Sequence, residues 1–398
     1  MPRPSLLAPL DRAAAWRLLA PSARLVVASV HEGAAAGALP WGQVQPATLL
    51  TLVQQERCEG AMLALATQAP PGAVPPTLVE ALRAQARVAS FRAAGLAEGA
   101  QAAVDALATA GIESVWLKGA GLAMAAGDTH FVDRPMGDVD VLVAPDAIPA
   151  AQAALRGAGW VPGPDEGAYA DAGHHHGAAF TWRGDPAVRL ELHRAVWPPP
   201  SPFRSPPVAD WVGAGRAVRW RDRTVVVPSP AWALAHAATH WAWSHEGATG
   251  SWQWLRDARR LAATTTPDAL SAAADRFGAR RPIGWALHVA RLLGALAPDS
   301  AVAAAASWRG AAGGVGGALA ERQWVVRAFA AGPPTPGVSW DRYWYRRSLP
   351  GLGAPPAAWP WAAGFGQVPA LAWTARGGGV GARVARWGGY VGRLRGLP

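Results

Sequence analysis

The chain has 398 residues and a net charge of +10, with 51% hydrophobic and only 16% charged residues. A usual charged fraction is about 25%, so this is not a disordered, charge-solvated polymer, and it is long enough to bury a large core. The single cysteine, Cys58, excludes a disulfide framework and a multi-thiolate zinc site, and no run of about 18 apolar residues escapes charge or proline, so no transmembrane helix is expected.

The first residues, MPRPSLLAPLDRAAAWRLLAPSARL, break their apolar runs with Pro, Asp and Arg. No hydrophobic leader is read there, and a cytoplasmic protein is expected. DRAAAWRLLA, PATLLTLVQQERCEGAMLALATQ and PTLVEALRAQARVASFRAAGLAEGAQAAVDALATAG carry apolar residues at three- and four-residue spacing, so residues 1–108 are expected to be an N-terminal helical region. The pattern then changes. SVWLKG is a short apolar run, LAMAAG is helical in type, DTHFVDRPMG is a polar loop, and DVDVLV alternates with period two. APDAIPAAQAALRGAGW reads as a helix; GAAFTW and VRLELHRAV read as strands. This β-α-loop-β-α-β-β block is placed at residues 109–228. PAWALAHAATHWAWSH and WQWLRDARRLAATT return to helix, giving a C-terminal helical region over 229–331, followed by a Pro/Gly/Trp/Arg-rich tail over 332–398. The fold class expected is α+β.

The basic residues are unusual, because Lys118 is the sole lysine and every other one is arginine. A coding bias that replaced lysine accounts for most of this. The alternative is an anionic partner such as nucleotide, nucleic acid or lipid. No RNA- or DNA-reading motif supports a nucleic-acid partner beyond net charge. The tail beyond Asp341 has no acid and recurring Arg376, Arg383, Arg386, Arg393 and Arg395, which raises a peripheral membrane contact. Its GGGVG and GG argue against an interfacial helix there.

The acids carry more information. Asp138 and Asp140 share one face of DVDVLV, while Val139, Val141 and Val143 face the core. Two carboxylates two residues apart on one strand face repel unless a cation sits between them, and hard oxygen donors suit Mg²⁺. In VRLELH, Val188, Leu190 and Leu192 point inward and Arg189, Glu191 and His193 outward. If this strand lies beside DVDVLV, Glu191 completes a three-carboxylate cluster able to hold two divalent ions around a phosphoryl displacement. Upstream, Gly119 and Gly121 sit between a strand and a helix, where small residues let backbone N–H groups approach phosphate. The spacing is not that of a P-loop. A lysine kept at 118 in an arginine-only chain suggests a task for a compact ammonium.

In this order, LKGAGLAMAAG, RPMGDVDVLV and LELHRAV resemble the uncharacterised nucleotidyltransferase family of the DNA polymerase β-like superfamily, over roughly residues 85 to 295. The matching positions are Leu117-Lys118-Gly119, Arg134-Pro135, Asp138 and Asp140, and Glu191 with His193. His236, His240 and WLRDARRL resemble the family's C-terminal helical part. The resemblance implies a small mixed-sheet nucleotidyltransferase core between helical regions. It implies Mg²⁺, with Mn²⁺ as an alternative, on Asp138, Asp140 and Glu191. It also implies an NTP, with ATP preferred, whose triphosphate lies near Lys118, Gly119, Gly121 and Arg134, and an acceptor that the sequence does not name. There are departures: Ala120 stands where the superfamily has Gly or Ser, the third acid is Glu rather than Asp, and Gly119 lies further from Asp138 than usual. A non-catalytic nucleotide-binding or scaffold protein with the same fold is the alternative function.

Other residues have simpler expectations. The His174–His176 run is expected in an exposed loop, with a phosphate or acceptor contact as the second reading. His236 and His240, at i and i+4, are expected to make structural polar contacts, and Asp257 to pair with a nearby Arg or His. Trp241, Trp243, Trp252 and Trp254 are expected in the core, with base stacking as the alternative.

Overall fold

The structure, a computed structural model, describes residues 10–31, 36–163, 176–197, 201–245, 247, 249–297 and 299–309, together with 322, 325 and 329. The expected tail over 332–398 lies outside the described residues, as do His174 and His175, and only the backbone of His176 is described.

Five helices come first: α1 (Arg12–Leu18), α2 (Pro21–Ala28), α3 (Pro46–Glu56), α4 (Glu59–Thr67) and α5 (Pro76–Thr109). Proline stands in the first turn of α2, α3 and α5, where its missing N–H costs nothing. The sheet block follows as β1 (Ser114–Trp116), α6 (Lys118–Ala125), β2 (Asp138–Val143), α7 (Ile148–Gly157), β3 (Trp160–Pro162), β4 (His176–Trp182), β5 (Asp185–His193), α8 (Val208–Gly213), β6 (Gly215–Trp220) and β7 (Arg223–Pro228). The C-terminal helices are α9 (Pro230–Trp243), α10 (Ser251–Ala262), α11 (Pro267–Phe277) and α12 (Arg280–Leu292). Helix α11 has a side-chain N-cap from Thr266 to Ala269 N–H and ends at Gly278 in a left-handed turn, the expected start and stop signals. The fold is α+β, a mixed sheet with helices at both ends.

The strands form one seven-stranded sheet in the order β3-β4-β5-β2-β1-β7-β6. The β2–β5 and β1–β7 pairs are parallel and the others antiparallel. The sequence pattern predicts four strands, and β3, β6 and β7 are additional. Strand β3 is a three-residue edge strand ending in proline, which gives almost no period to read. The β6–β7 hairpin, GRAVRW and RTVVVP, turns at Arg221-Asp222, without the glycine or asparagine that usually marks such a turn.

Alternation divides the strands between two cores. Val139, Val141 and Val143 of β2, with Val188, Leu190 and Leu192 of β5, pack with the C-terminal half of α5 and with α7. Residues on the opposite face, such as Val115 and Leu142, join a second core that includes helices from both ends of the chain. Trp241, Trp243, Trp252 and Trp254 belong to this second core: Trp241 and Trp254 stack at 5.7 Å between ring centres, and Trp252 donates its indole N–H to Ser29 Oγ at 3.0 Å. Trp241, Trp243, Trp252 and Trp254 are all under 9% exposed, so they serve the core and offer no platform for a base. No helix among the described residues is long and apolar enough to cross a membrane.

Candidate active site

The strand-to-helix turn after β1 is built around Asp140. Trp116 pairs with Val141 across the antiparallel β1–β2 ladder. The next residue, Leu117, caps α6 and donates its N–H to the Asp140 carbonyl at 2.9 Å. Lys118 then opens α6 instead of closing the strand, with a left-handed φ of 46°. That backbone costs a non-glycine residue about 1–3 kcal/mol and persists only where surroundings dictate it. Here the Lys118 ammonium bonds Asp140 Oδ1 at 2.7 Å, so Asp140 holds the turn by its backbone and by its side chain.

The two expected glycines have different tasks. A Cβ on Gly121 would lie 2.0 Å from the Trp116 carbonyl oxygen, so glycine is required for the helix to turn back on its own strand. Its N–H bonds Leu117 O at 3.0 Å and is engaged within the helix. The helix therefore opens at Lys118, not at Gly121. Gly119 faces the Arg134 and Met136 side chains, and Ala120 is buried in the core.

Strands β2 and β5 run parallel with Asp138 opposite Arg189 and Asp140 opposite Glu191. The carboxylates of Asp140 and Glu191 thus meet on one face of adjacent strands. His193, at the end of β5, places Nε2 2.8 Å from Asp140 Oδ1 and 3.8 Å from Glu191 Oε2. One donor atom from each of Asp140, Glu191 and His193 lies within 4.8 Å of the others, and this group can hold a metal ion.

The electrostatics are those of a crowded negative cluster. Burial favours neutral Asp140, but Lys118 and His193 outweigh it and hold its carboxyl far below the usual carboxylate range. Burial and the Asp140 charge push Asp138 up, with only partial relief from Lys118, Arg57 and His193. Burial and both aspartates push Glu191 up to about 7. Burial also opposes the Lys118 ammonium, but the three carboxylates overcome it and raise its pKa. Lys118 bonds Asp140, Arg189 stands 3.9 Å from Glu191 and Arg57 lies near Asp138, yet Asp138 and Glu191 are both pushed up, so the cluster is short of positive charge. With the hard oxygen donors, that makes the residues fit for a bound cation.

The loop between α6 and β2 is pinned from two sides. On one side Phe131 is fully buried and stacks on Trp220 at 5.5 Å. The Trp220 indole N–H donates to Asp128 O at 3.1 Å, and Arg221 donates to Thr129 O at 2.6 Å. On the other side Arg134 forms a bidentate pair with Asp257 of α10, at 3.0 and 2.7 Å, and Gln253 donates to Pro135 O at 2.8 Å. Asp257 is thus paired with an arginine, as its sequence context leads one to expect, and Arg134 spans the D-x-D loop and the C-terminal helices.

Three side chains around the site come from elsewhere in the chain. His236 of α9 is buried, edge-on to Trp197 at 5.0 Å, and burial with the nearby Lys118 charge lowers its pKa to about 3, so it is neutral. His240 is partly exposed and lies 4.6 Å from the His245 ring. Arg57, at the α3–α4 corner, brings the end of its guanidinium against Gly137 beside Asp138. Nothing in the local sequence around Arg57 marks it, although a glycine directly before D-x-D is a sign of close approach.

The comparison with curated proteins gives no match, nor does the comparison with solved structures. The family model does match, and it reaches further toward the N terminus than the motifs themselves. It spans residues 42–295, more than half of the chain, and carries the description uncharacterised nucleotidyltransferase. With the glycine turn, D-x-D strand and third carboxylate assembled in one place, the chain belongs to the uncharacterised nucleotidyltransferase family.

Proposed function

We propose that the protein transfers a nucleotidyl group, AMP from ATP by preference, to a hydroxyl-bearing acceptor such as a peptide, protein or small molecule, and releases pyrophosphate. The observation that carries this reading is the register that sets Asp140 opposite Glu191, with Asp138 on the same strand and Lys118 2.7 Å from Asp140. Asp138, Asp140 and Glu191, with His193 beside them, would hold Mg²⁺, or Mn²⁺, which accepts an imidazole among oxygen donors. When bound, such an ion supplies charge neutralisation for the phosphoryl group and for the departing pyrophosphate.

The chain's own residues have separable roles. The Lys118 ammonium and the first N–H groups of α6 face anionic oxygens and hold the triphosphate. Glu191, across from Asp140 in the β2–β5 register, would orient the acceptor hydroxyl and receive its proton. The acceptor oxygen bonds to the α-phosphorus, the α–β bridging bond breaks, the proton passes to Glu191, and pyrophosphate leaves. Arg134 positions the D-x-D loop through Asp257 and does not itself grip the nucleotide.

A non-catalytic nucleotide-binding protein with this fold is the second reading. It draws on Lys118 and His193, which together satisfy Asp140 Oδ1 without a metal ion. Incubation of the protein with each α-labelled NTP, Mg²⁺ or Mn²⁺ and a panel of peptide, protein and small-molecule acceptors decides between them. A mass increment of one nucleotidyl group that Asp140→Asn abolishes supports transfer. NTP binding without any adduct or pyrophosphate, in every combination, refutes it.

A further inference from the structure

Arg57 belongs to the N-terminal helices, yet its side chain ends at the carboxylate cluster. It caps α3 in the left-handed region, at φ 54° and ψ 47°. A non-glycine residue adopts that conformation only at a cost, and such residues concentrate at ligand clamps. The corner is fixed on both sides. Glu56 is fully buried and accepts the Trp252 N–H of α10 at 2.9 Å, and Cys58 is buried and starts α4. Arg57 is therefore anchored by its two neighbours, and its direction is set by them.

The Nη1 and Nη2 end of its guanidinium abuts the backbone of Gly137, just before D-x-D. A Cβ on Gly137 would come within 2.1 Å of Nη1, 2.2 Å of Nη2 and 2.4 Å of Cζ, so glycine at 137 is what admits the arginine. Asp138 is close enough for the two charges to shift one another, but no salt bridge joins them. Burial opposes the charge on Arg57, and Arg92 and Arg134 oppose it further; Asp138 and Glu59 favour it. Nη1 is buried and has no hydrogen-bond partner among the described residues. An arginine present only to offset Asp138 would be bonded to it. A buried charged donor left unbonded costs several times an ordinary hydrogen bond unless a ligand supplies the acceptor.

We propose that Arg57 is a nucleotide-binding residue, whose guanidinium takes phosphate oxygens of the NTP beside Asp138. This rests on the nucleotidyl-transfer reading and adds to it a contribution from the N-terminal helices. The ligand chemistry follows from the donor. A planar guanidinium pairs with phosphate in a bidentate way that lysine cannot match. Lys118 and Arg57 then hold the polyphosphate between them, from α6 and from the α3–α4 corner.

The test uses the full chain, with ATP and Mg²⁺ as substrate and inorganic tripolyphosphate as competitor. Arg57→Ala should raise the KM for ATP by about ten- to a hundred-fold and weaken tripolyphosphate inhibition in parallel, as expected for a lost charge-assisted hydrogen bond. Arg57→Lys should recover part of that loss, and thermal melts establish that each variant folds. A folded Arg57→Ala whose KM and tripolyphosphate inhibition stay within about two-fold of the parent overturns the assignment. If Arg57→Ala does not fold, Arg57→Lys decides: a KM raised several-fold supports the proposal, and parental values overturn it. A parent protein that neither turns over nor binds any NTP overturns the nucleotidyl-transfer reading and this assignment together. Normal parental turnover with an indifferent Arg57 variant overturns this assignment alone.

Discussion

The Arg134–Asp257 pair gives the sharpest test of how the D-x-D loop is held. Its side chains are 9% and 5% exposed, and both guanidinium contacts are short. Removing one partner leaves the other charge buried and unpaired, which costs about 3–5 kcal/mol. Replacing both with apolar side chains of similar volume removes that penalty. We therefore expect Arg134→Met and Asp257→Leu each to lower stability by about 3–5 kcal/mol, and the double variant to be no worse than either single. Urea unfolding followed by tryptophan fluorescence measures this. With a slope of about 3 kcal/mol per molar, each single variant lowers the midpoint by about 1–1.7 M. Single-variant costs that add to within about 0.5 kcal/mol would refute the coupling. Kinetics supply a second readout, since a positioning role requires Asp257→Asn and Arg134→Met to depress turnover together. A raised KM for NTP in Arg134→Met alone would instead make Arg134 a direct nucleotide contact.

Three further outcomes follow from the geometry. Lys118→Arg should fold and lose much of the NTP turnover, and Lys118→Ala nearly all of it, about 10²–10³-fold, by pyrophosphate release assay; parental turnover in Lys118→Ala would make the lone lysine a compositional accident. Burial pushes the Glu56 carboxyl from 4.5 up to about 7, outweighing the N–H groups of Trp252 and Ser251. Between those values the folded state binds the extra proton, so this group's contribution is best below pH 4.5 and falls by about 3 kcal/mol as pH rises to 7. Glu56→Gln should flatten that part of the stability–pH curve measured by urea unfolding, and an unchanged slope counts against the assignment. Gly121→Ala should lower stability by about 1–3 kcal/mol or more in thermal melts, because its methyl group meets the Trp116 carbonyl; a parental melting temperature would show that the turn relaxes.

Much of the site was legible because its parts are local. Alternation in DVDVLV and VRLELH assigned Asp138, Asp140 and Glu191 to one face, and the β2–β5 register places Asp140 beside Glu191. The glycine turn was legible for the same reason. Its interpretation was not, since the Trp116 carbonyl that demands Gly121 and the helix start at Lys118 depend on how the chain folds back.

The sequence by itself determined the α+β class, the helical flanks and the acids of the site, because period, glycine placement and charge scarcity act within a few residues. Tertiary structure decided which distant groups reach those acids. Arg57 arrives from the N-terminal helices because Gly137 leaves room for it, Asp257 fixes Arg134 across more than a hundred residues, and Trp220 holds the loop before D-x-D. None of these has a spacing to read. Each is a contact between residues far apart in the chain, made only when the helices from both ends close into one core beside the sheet.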